Sequence, residues 1–173
     1  MKESISIIFD ENTIQRKVKD IALKINQDYI SKSDILILSI LKGSIVYTAD
    51  LIRHFNFKFE LEFLEISSYK NGKTSGDLSF PDQRLPEFAN KHVIIVEDII
   101  DTGKTLAYIQ NLIRHSGALS LECTALLIKL EKDNGSLHIK YPGFNINDIF
   151  IVGYGMDYAG KYRNLPYIGA LKH

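Results

Sequence analysis

Val93 to Thr105 reads VIIVEDIIDTGKT, a hydrophobic run followed by two adjacent acids, a third acid and a glycine-containing turn. The run suits a buried strand, and the turn should open a helix whose first amides lack partners within the helix. Unpaired N–H groups and the macrodipole at that point favour a phosphate. Gly103 allows close backbone approach, and the Thr102 and Thr105 hydroxyls can add hydrogen bonds. Gly103-Lys104-Thr105 also ends like a nucleotide-triphosphate P-loop. That pattern needs a glycine where this chain has Asp98, whose charge would repel the phosphates. Glu97, Asp98 and Asp101 instead require partners such as sugar hydroxyls, a divalent cation or a substrate N–H, so the segment suggests a phosphorylated sugar.

The surrounding elements must hold that segment in place. Ile5 to Phe9 suits a short strand, and Asp10 to Thr13 offers N-cap oxygens to a helix carrying Ile14, Val18, Ile21 and Ile25 on one stripe. Ile35 to Ile40 has the near-continuous apolar character of a strand buried on both faces. Ile45, Val46, Ala49 and Ile52 then suit a second helix. Phe57, Phe59, Leu61 and Phe63 alternate with charged residues, as in a half-exposed strand. Ser67 to Lys91 loses all periodicity and reads as a long loop of the kind that forms active-site lids. Val93 to Val96, Leu121 to Leu130 and Phe150 to Val152 are further strands, and Leu106 to Arg114 is a helix stopped near Gly117. This alternation predicts an α/β fold with a mainly parallel central sheet flanked by helices, whose ligands collect at the strands' carboxyl ends.

With 173 residues and no internal repeat or linker, a single domain over 1–173 is expected. Lysine plus arginine and aspartate plus glutamate both number 21, leaving no global field to attract nucleic acid or an anionic membrane. No apolar run approaches the ~20 residues of a membrane-spanning helix. The opening MKESISIIFDENT lacks a secretory cleavage pattern, so a cytoplasmic setting is expected. Cys123, the only cysteine, reads as a buried strand residue, and the Asn134-Gly135-Ser136 sequon as accidental in that setting.

VEDIIDTGKT closely resembles the phosphoribosyl pyrophosphate motif of type I phosphoribosyltransferases, particularly the hypoxanthine-guanine branch. LKGS at Leu41 to Ser44 resembles that family's pyrophosphate loop, SSY at Ser67 to Tyr69 its mobile catalytic loop, and VGYGMDYAGKYRNLPYIG at Val152 to Gly169 its C-terminal signature. These segments keep the family's order across roughly residues 35–173.

The resemblance implies a small hood built from terminal segments, including about residues 150–173, and a mobile loop at about 67–91. It implies transfer of a phosphoribosyl group from magnesium-bound phosphoribosyl pyrophosphate to a 6-oxopurine through an oxocarbenium-like transition state. Glu97 and Asp98 would hold the ribose hydroxyls and associated Mg2+, with Asp157 as a second metal contact near the purine. Asp101, Thr102, Gly103, Lys104 and Thr105 would enclose the 5-phosphate, with Asp101 also the candidate general base toward purine N7. Lys42, Gly43 and Arg163 would face pyrophosphate, the lysine following a cis peptide in the family. Lys129 would donate to the 6-oxo group, Phe150 would stack on the base, and the Ile151 backbone would read its edge.

Ser68 and Tyr69 belong to the implied lid. A homodimer or homotetramer is also implied. Two departures from the family pattern, Leu130-Glu131-Lys132 after the lysine and Met156 near the purine edge, leave the choice among hypoxanthine, guanine and xanthine open. The other reading is a regulatory protein of this fold that senses phosphoribosyl pyrophosphate, although the chain carries no appended DNA-binding domain or basic face.

Overall fold

The computed structural model describes residues 4–68, 78–79, 85–129 and 137–172. Its first strand, β1 (Ser4–Phe9), leads into α1 (Glu11–Tyr29). Asp10 caps that helix by accepting a 2.7 Å hydrogen bond from the Thr13 amide. The expected stripe of Ile14, Val18, Ile21 and Ile25 is buried throughout, and Tyr29 extends it by a turn.

Five parallel strands form the central sheet in the order β3 (Glu60–Glu65), β2 (Ile35–Leu41), β6 (His92–Ile100), β7 (Ser120–Lys129) and β8 (Tyr141–Ile146). Period-two alternation divides its side chains between two cores. Ile35, Ile37, Ile94 and Val96 pack with α1 and α2 (Ile45–Ile52). Leu36, Leu38, Val93, Ile95 and Cys123 pack with α3 (Lys104–Arg114) on the other face. Burial pushes the Cys123 thiol well above its ordinary range, as suits a packing residue.

A second, antiparallel sheet joins the two ends of the chain: β1 pairs with β10 (Ile168–Lys172), which pairs with β9 (Ile151–Val152). This is the expected hood, with Phe150 lying just outside the strand rather than within it. Two other readings need correction. Phe57 and Phe59 precede the edge strand, which begins at Glu60, and pack against the core instead. Part of 67–91 is not open loop: Ser67 and Ser68 (β4) pair with Ser79 and Leu78 (β5), while Phe88 is buried and Lys91 forms a 2.6 Å ion pair with Glu60. No described helix is long and apolar enough to cross a membrane.

Candidate active site

The carboxyl ends of β2, β6 and β7 open into one cleft of about 340 Å³ whose far wall is the hood. Lys42 and Gly43 follow β2, Asp98 and Asp101 come from β6 and the turn after it, and Lys129 ends β7. Phe150, Ile151, Asp157 and Arg163 line the hood side, together with Ile149 and Met156. Residues as far apart as Lys42 and Lys129 reach one cavity because parallel strands present their ends together, and the hood closes it from the other side.

The adjacent acids divide between two cavities because successive strand residues face opposite ways. Asp98 faces the main cleft beside Gly43, where an added Cβ would overlap its carboxyl group. Burial pushes Asp98 up to about 6, despite hydrogen bonds from its own and Ile99's amides and the influence of Arg163. Glu97 lines a smaller pocket of about 100 Å³ with Asp101, Thr102, Gly103 and Thr105. Its Oε2 atom is buried without a hydrogen-bond partner among the described residues. Burial, then the neighbouring Asp98 charge, raises Glu97 well above the usual carboxylate range. Both acids therefore sit where a hydroxyl donor or cation would relieve desolvation.

The smaller pocket lies at the start of α3. Gly103 occupies the N-cap with φ of +70° and no side-chain cap, leaving the first helical amides available to an anion. Leu137 packs where a Cβ at Gly103 would stand. The Lys104 side chain is exposed and lines neither pocket, so what it can offer a phosphate there is its amide at the start of α3.

In the main cleft, Lys129 is only 10% exposed at its side chain. Its ammonium lies 2.8 Å from Asp148 Oδ1 and 3.5 Å from Asp101 Oδ1. Phe150 is half-exposed and meets Tyr158 edge to face at 5.4 Å, leaving ring surface for an aromatic ligand. A buried cation, an exposed aromatic face and a carboxylate thus adjoin a pocket suited to a phosphate.

The phosphoribosyl transferase domain profile matches residues 4–159. The chain belongs to that family. It is 37% identical to the hypoxanthine-guanine phosphoribosyltransferase of Bacillus subtilis over 99% of this chain and 96% of that protein. It is 40% identical to the hypoxanthine phosphoribosyltransferase of Buchnera aphidicola, covering 98% of this chain and 97% of the relative. Among solved structures, a hypoxanthine-guanine phosphoribosyltransferase from Bacillus anthracis with HEPES in its active site superimposes with a TM-score of 0.89 at 38% identity. That match covers 99% of this chain and 100% of the other. The parallel sheet with flanking helices is the type I phosphoribosyltransferase fold.

Within this phosphoribosyltransferase, the remaining expected residues are held by internal partners. The Leu41–Lys42 peptide is cis, and Lys42 lies 3.2 Å from Glu65 at the end of β3. Arg163 donates from Nη1 to the Gly155 carbonyl at 2.6 Å and pairs through Nη2 with Asp157 Oδ1 at 2.6 Å. Asp157 Oδ2 also accepts from the Gly160 amide at 2.7 Å. Gly155, at φ +99°, presses against the Gly43 carbonyl and docks the hood on the LKGS turn.

Of the expected metal residues, Asp98 and Asp157 line the main cleft and Glu97 lines the smaller pocket. No group of three or more His, Cys, Asp or Glu side chains among the described residues is arranged to hold a metal ion. Ser68 is described only through its strand pairing, and Tyr69 lies outside the described residues. Glu65 and Asp148 were missed by sequence reasoning, since each meets its lysine only through strand order.

Proposed function

We propose that the protein is a purine salvage transferase that converts hypoxanthine, guanine or both, with phosphoribosyl pyrophosphate, into the corresponding nucleoside monophosphate and pyrophosphate. The observation that carries the reading is the buried Lys129 ammonium beside Asp101, between an aromatic face and the α3 phosphate pocket. An ammonium has donors and no acceptor, so it favours a 6-oxo group over the 6-amino group of adenine.

In this mechanism the α3 amides, Thr102 and Thr105 hold the 5-phosphate, fixing the sugar between the two cavities. Glu97 and Asp98 accept from the ribose hydroxyls, whose donors would satisfy the orphaned Oε2. Phe150 and Ile151 position the base so that a ring nitrogen attacks the anomeric carbon as the bond to pyrophosphate breaks. Asp101 takes or shares the N7 proton. Lys42 and Arg163 exchange their Glu65 and Asp157 contacts for pyrophosphate oxygens.

Mg2+ fits this cleft through Asp98 and Asp157, since it commonly uses one or two carboxylates together with substrate phosphates. When bound, it would neutralise pyrophosphate charge. A homodimer or homotetramer and a cytoplasmic setting accompany the proposal, the first testable by light scattering of the eluting protein.

The deciding assay measures nucleotide formation from phosphoribosyl pyrophosphate and Mg2+ with hypoxanthine, guanine, xanthine and adenine separately. Turnover with oxopurines and not adenine supports the reading. Tight phosphoribosyl pyrophosphate binding without turnover of any base would replace it with the sensor alternative.

A further inference from the structure

Lys129 has three donors, and the structure supplies two carboxylates of unequal proximity. Asp148 takes the ammonium at 2.8 Å, within hydrogen-bonding range, whereas Asp101 stands at 3.5 Å. The cleft is lined by Lys129 and Asp101 but not by Asp148, which reaches the Lys129 ammonium from outside that lining. Asp148 also lies in a tight turn, where the Ile149 amide donates to the Asn147 carbonyl at 2.9 Å. The next two residues, Ile149 and Phe150, line the cleft. One carboxylate therefore joins the end of β7 to the segment carrying the exposed aromatic ring.

We propose that Asp148 is a positioning residue for base recognition: it holds the Lys129 ammonium back from Asp101 and sets Lys129 and Phe150 in register for a 6-oxopurine. The inference rests on the transferase reading and deepens it. Without the Asp148 charge, Asp101 becomes the nearest carboxylate to Lys129 among the described residues, and Coulomb attraction closes the 3.5 Å gap. That closure removes a donor from the 6-oxo position and an acceptor from the N7 side together. Asp101 also lines the 5-phosphate pocket, but the α3 amides, Thr102 and Thr105 that hold the phosphate there are left in place.

The test uses the full chain with Asp148→Asn, Asp148→Glu, Lys129→Met and the Asp148→Asn/Lys129→Met pair. Asp148 is 41% exposed at its side chain, so its substitutions do not open the core. Asp148→Asn should raise the hypoxanthine KM about tenfold, the loss expected for a charge-assisted hydrogen bond, with phosphoribosyl pyrophosphate KM changed by less than about twofold. Asp148→Glu should recover most of that loss.

Calorimetric dissociation constants for inosine monophosphate provide a second reading that requires no turnover. In the Lys129→Met background, adding Asp148→Asn should change that constant by less than about twofold, because the residue acts through the lysine. Equal losses for both substrates, or fully multiplicative effects in the pair, would overturn the positioning role. An active wild type with an unchanged Asp148→Asn variant would reject this inference alone; a wild type inactive on every oxopurine would reject the transferase reading beneath it.

Discussion

The two ends of the central sheet are built on opposite electrostatic terms. At the amino ends, Asp28 from α1 accepts from the Tyr141 hydroxyl at 2.7 Å and pairs with Lys140 at 2.9 Å. His92 meets Ser120 at 2.7 Å, and Glu122 meets His138 at 2.6 Å. The hydrogen bond from Lys140, then that from Tyr141, holds the Asp28 carboxyl below its usual range. At the carboxyl ends, Glu97 and Asp98 are raised by burial instead, and Glu97 Oε2 has no partner among the described residues. One end completes its charges internally and fastens α1 to the sheet. The other leaves acids poorly compensated where a sugar and cation are proposed to bind, placing the stability cost at the site of recognition.

The largest effect that would sharpen this contrast is expected at Asp101. Asp101→Asn nearly preserves shape while removing the carboxylate's negative charge and proton-accepting capacity, so kcat should fall on the order of a hundredfold or more. Phosphoribosyl pyrophosphate affinity should change by less than about threefold, since the α3 amides and threonines remain. Rapid-quench turnover combined with equilibrium binding separates these quantities. Normal turnover would remove Asp101 from the chemistry and confine the unfinished end to binding.

The sequence exposed this functional end more fully than the stabilising one. Strong periodicity made α1 and the buried β2 readable: Ile14, Val18, Ile21 and Ile25 recur on one face, while Ile35 to Ile40 stays nearly apolar because strands cover both its edges and cores cover both its faces. Strand β8 was obscured by Pro142 and Gly143, which weaken a strand signal but fit this edge position. Strand β10 is short, and its Gly169 leaves room for Ile5 of β1, a requirement visible only once the chain's ends meet. The Glu97-Asp98 motif announced a site, but two neighbouring letters concealed opposite directions. Lys42–Glu65 and Lys129–Asp148 were hidden because strand order creates each pair.

A stability effect of intermediate size is expected from Asp98→Asn in the ligand-free protein. Its folded-state pKa of about 6 lies above the ordinary value of 3.8. Between those values the unfolded chain releases the proton first, so Asp98 costs stability as pH rises through the window and favours folding most below it. The difference corresponds to roughly 2 to 3 kcal/mol at pH 8. Asp98→Asn should therefore raise Tm by about 5 °C at pH 8, with the gain shrinking toward pH 4, even as nucleotide synthesis falls. A lower Tm at pH 8 would mean that Asp98 is already well compensated in the free protein.

The smallest effect, and the one that completes the comparison, is expected from Asp28→Asn. Its carboxyl is held below 3.8, so its contribution is present above that value and is lost as pH falls through the lowered folded-state pKa. Because Asp28 is 38% exposed, solvent screening limits the pair with Lys140 to less than about 1 kcal/mol. Urea unfolding at pH 7 should show a small destabilisation that fades below pH 4, with turnover unchanged within about twofold. The two aspartate substitutions should thus move stability in opposite directions near neutral pH. A shared sign would mean that burial of the whole chain, rather than the contrast between satisfied and unfinished ends, governs the acids' response.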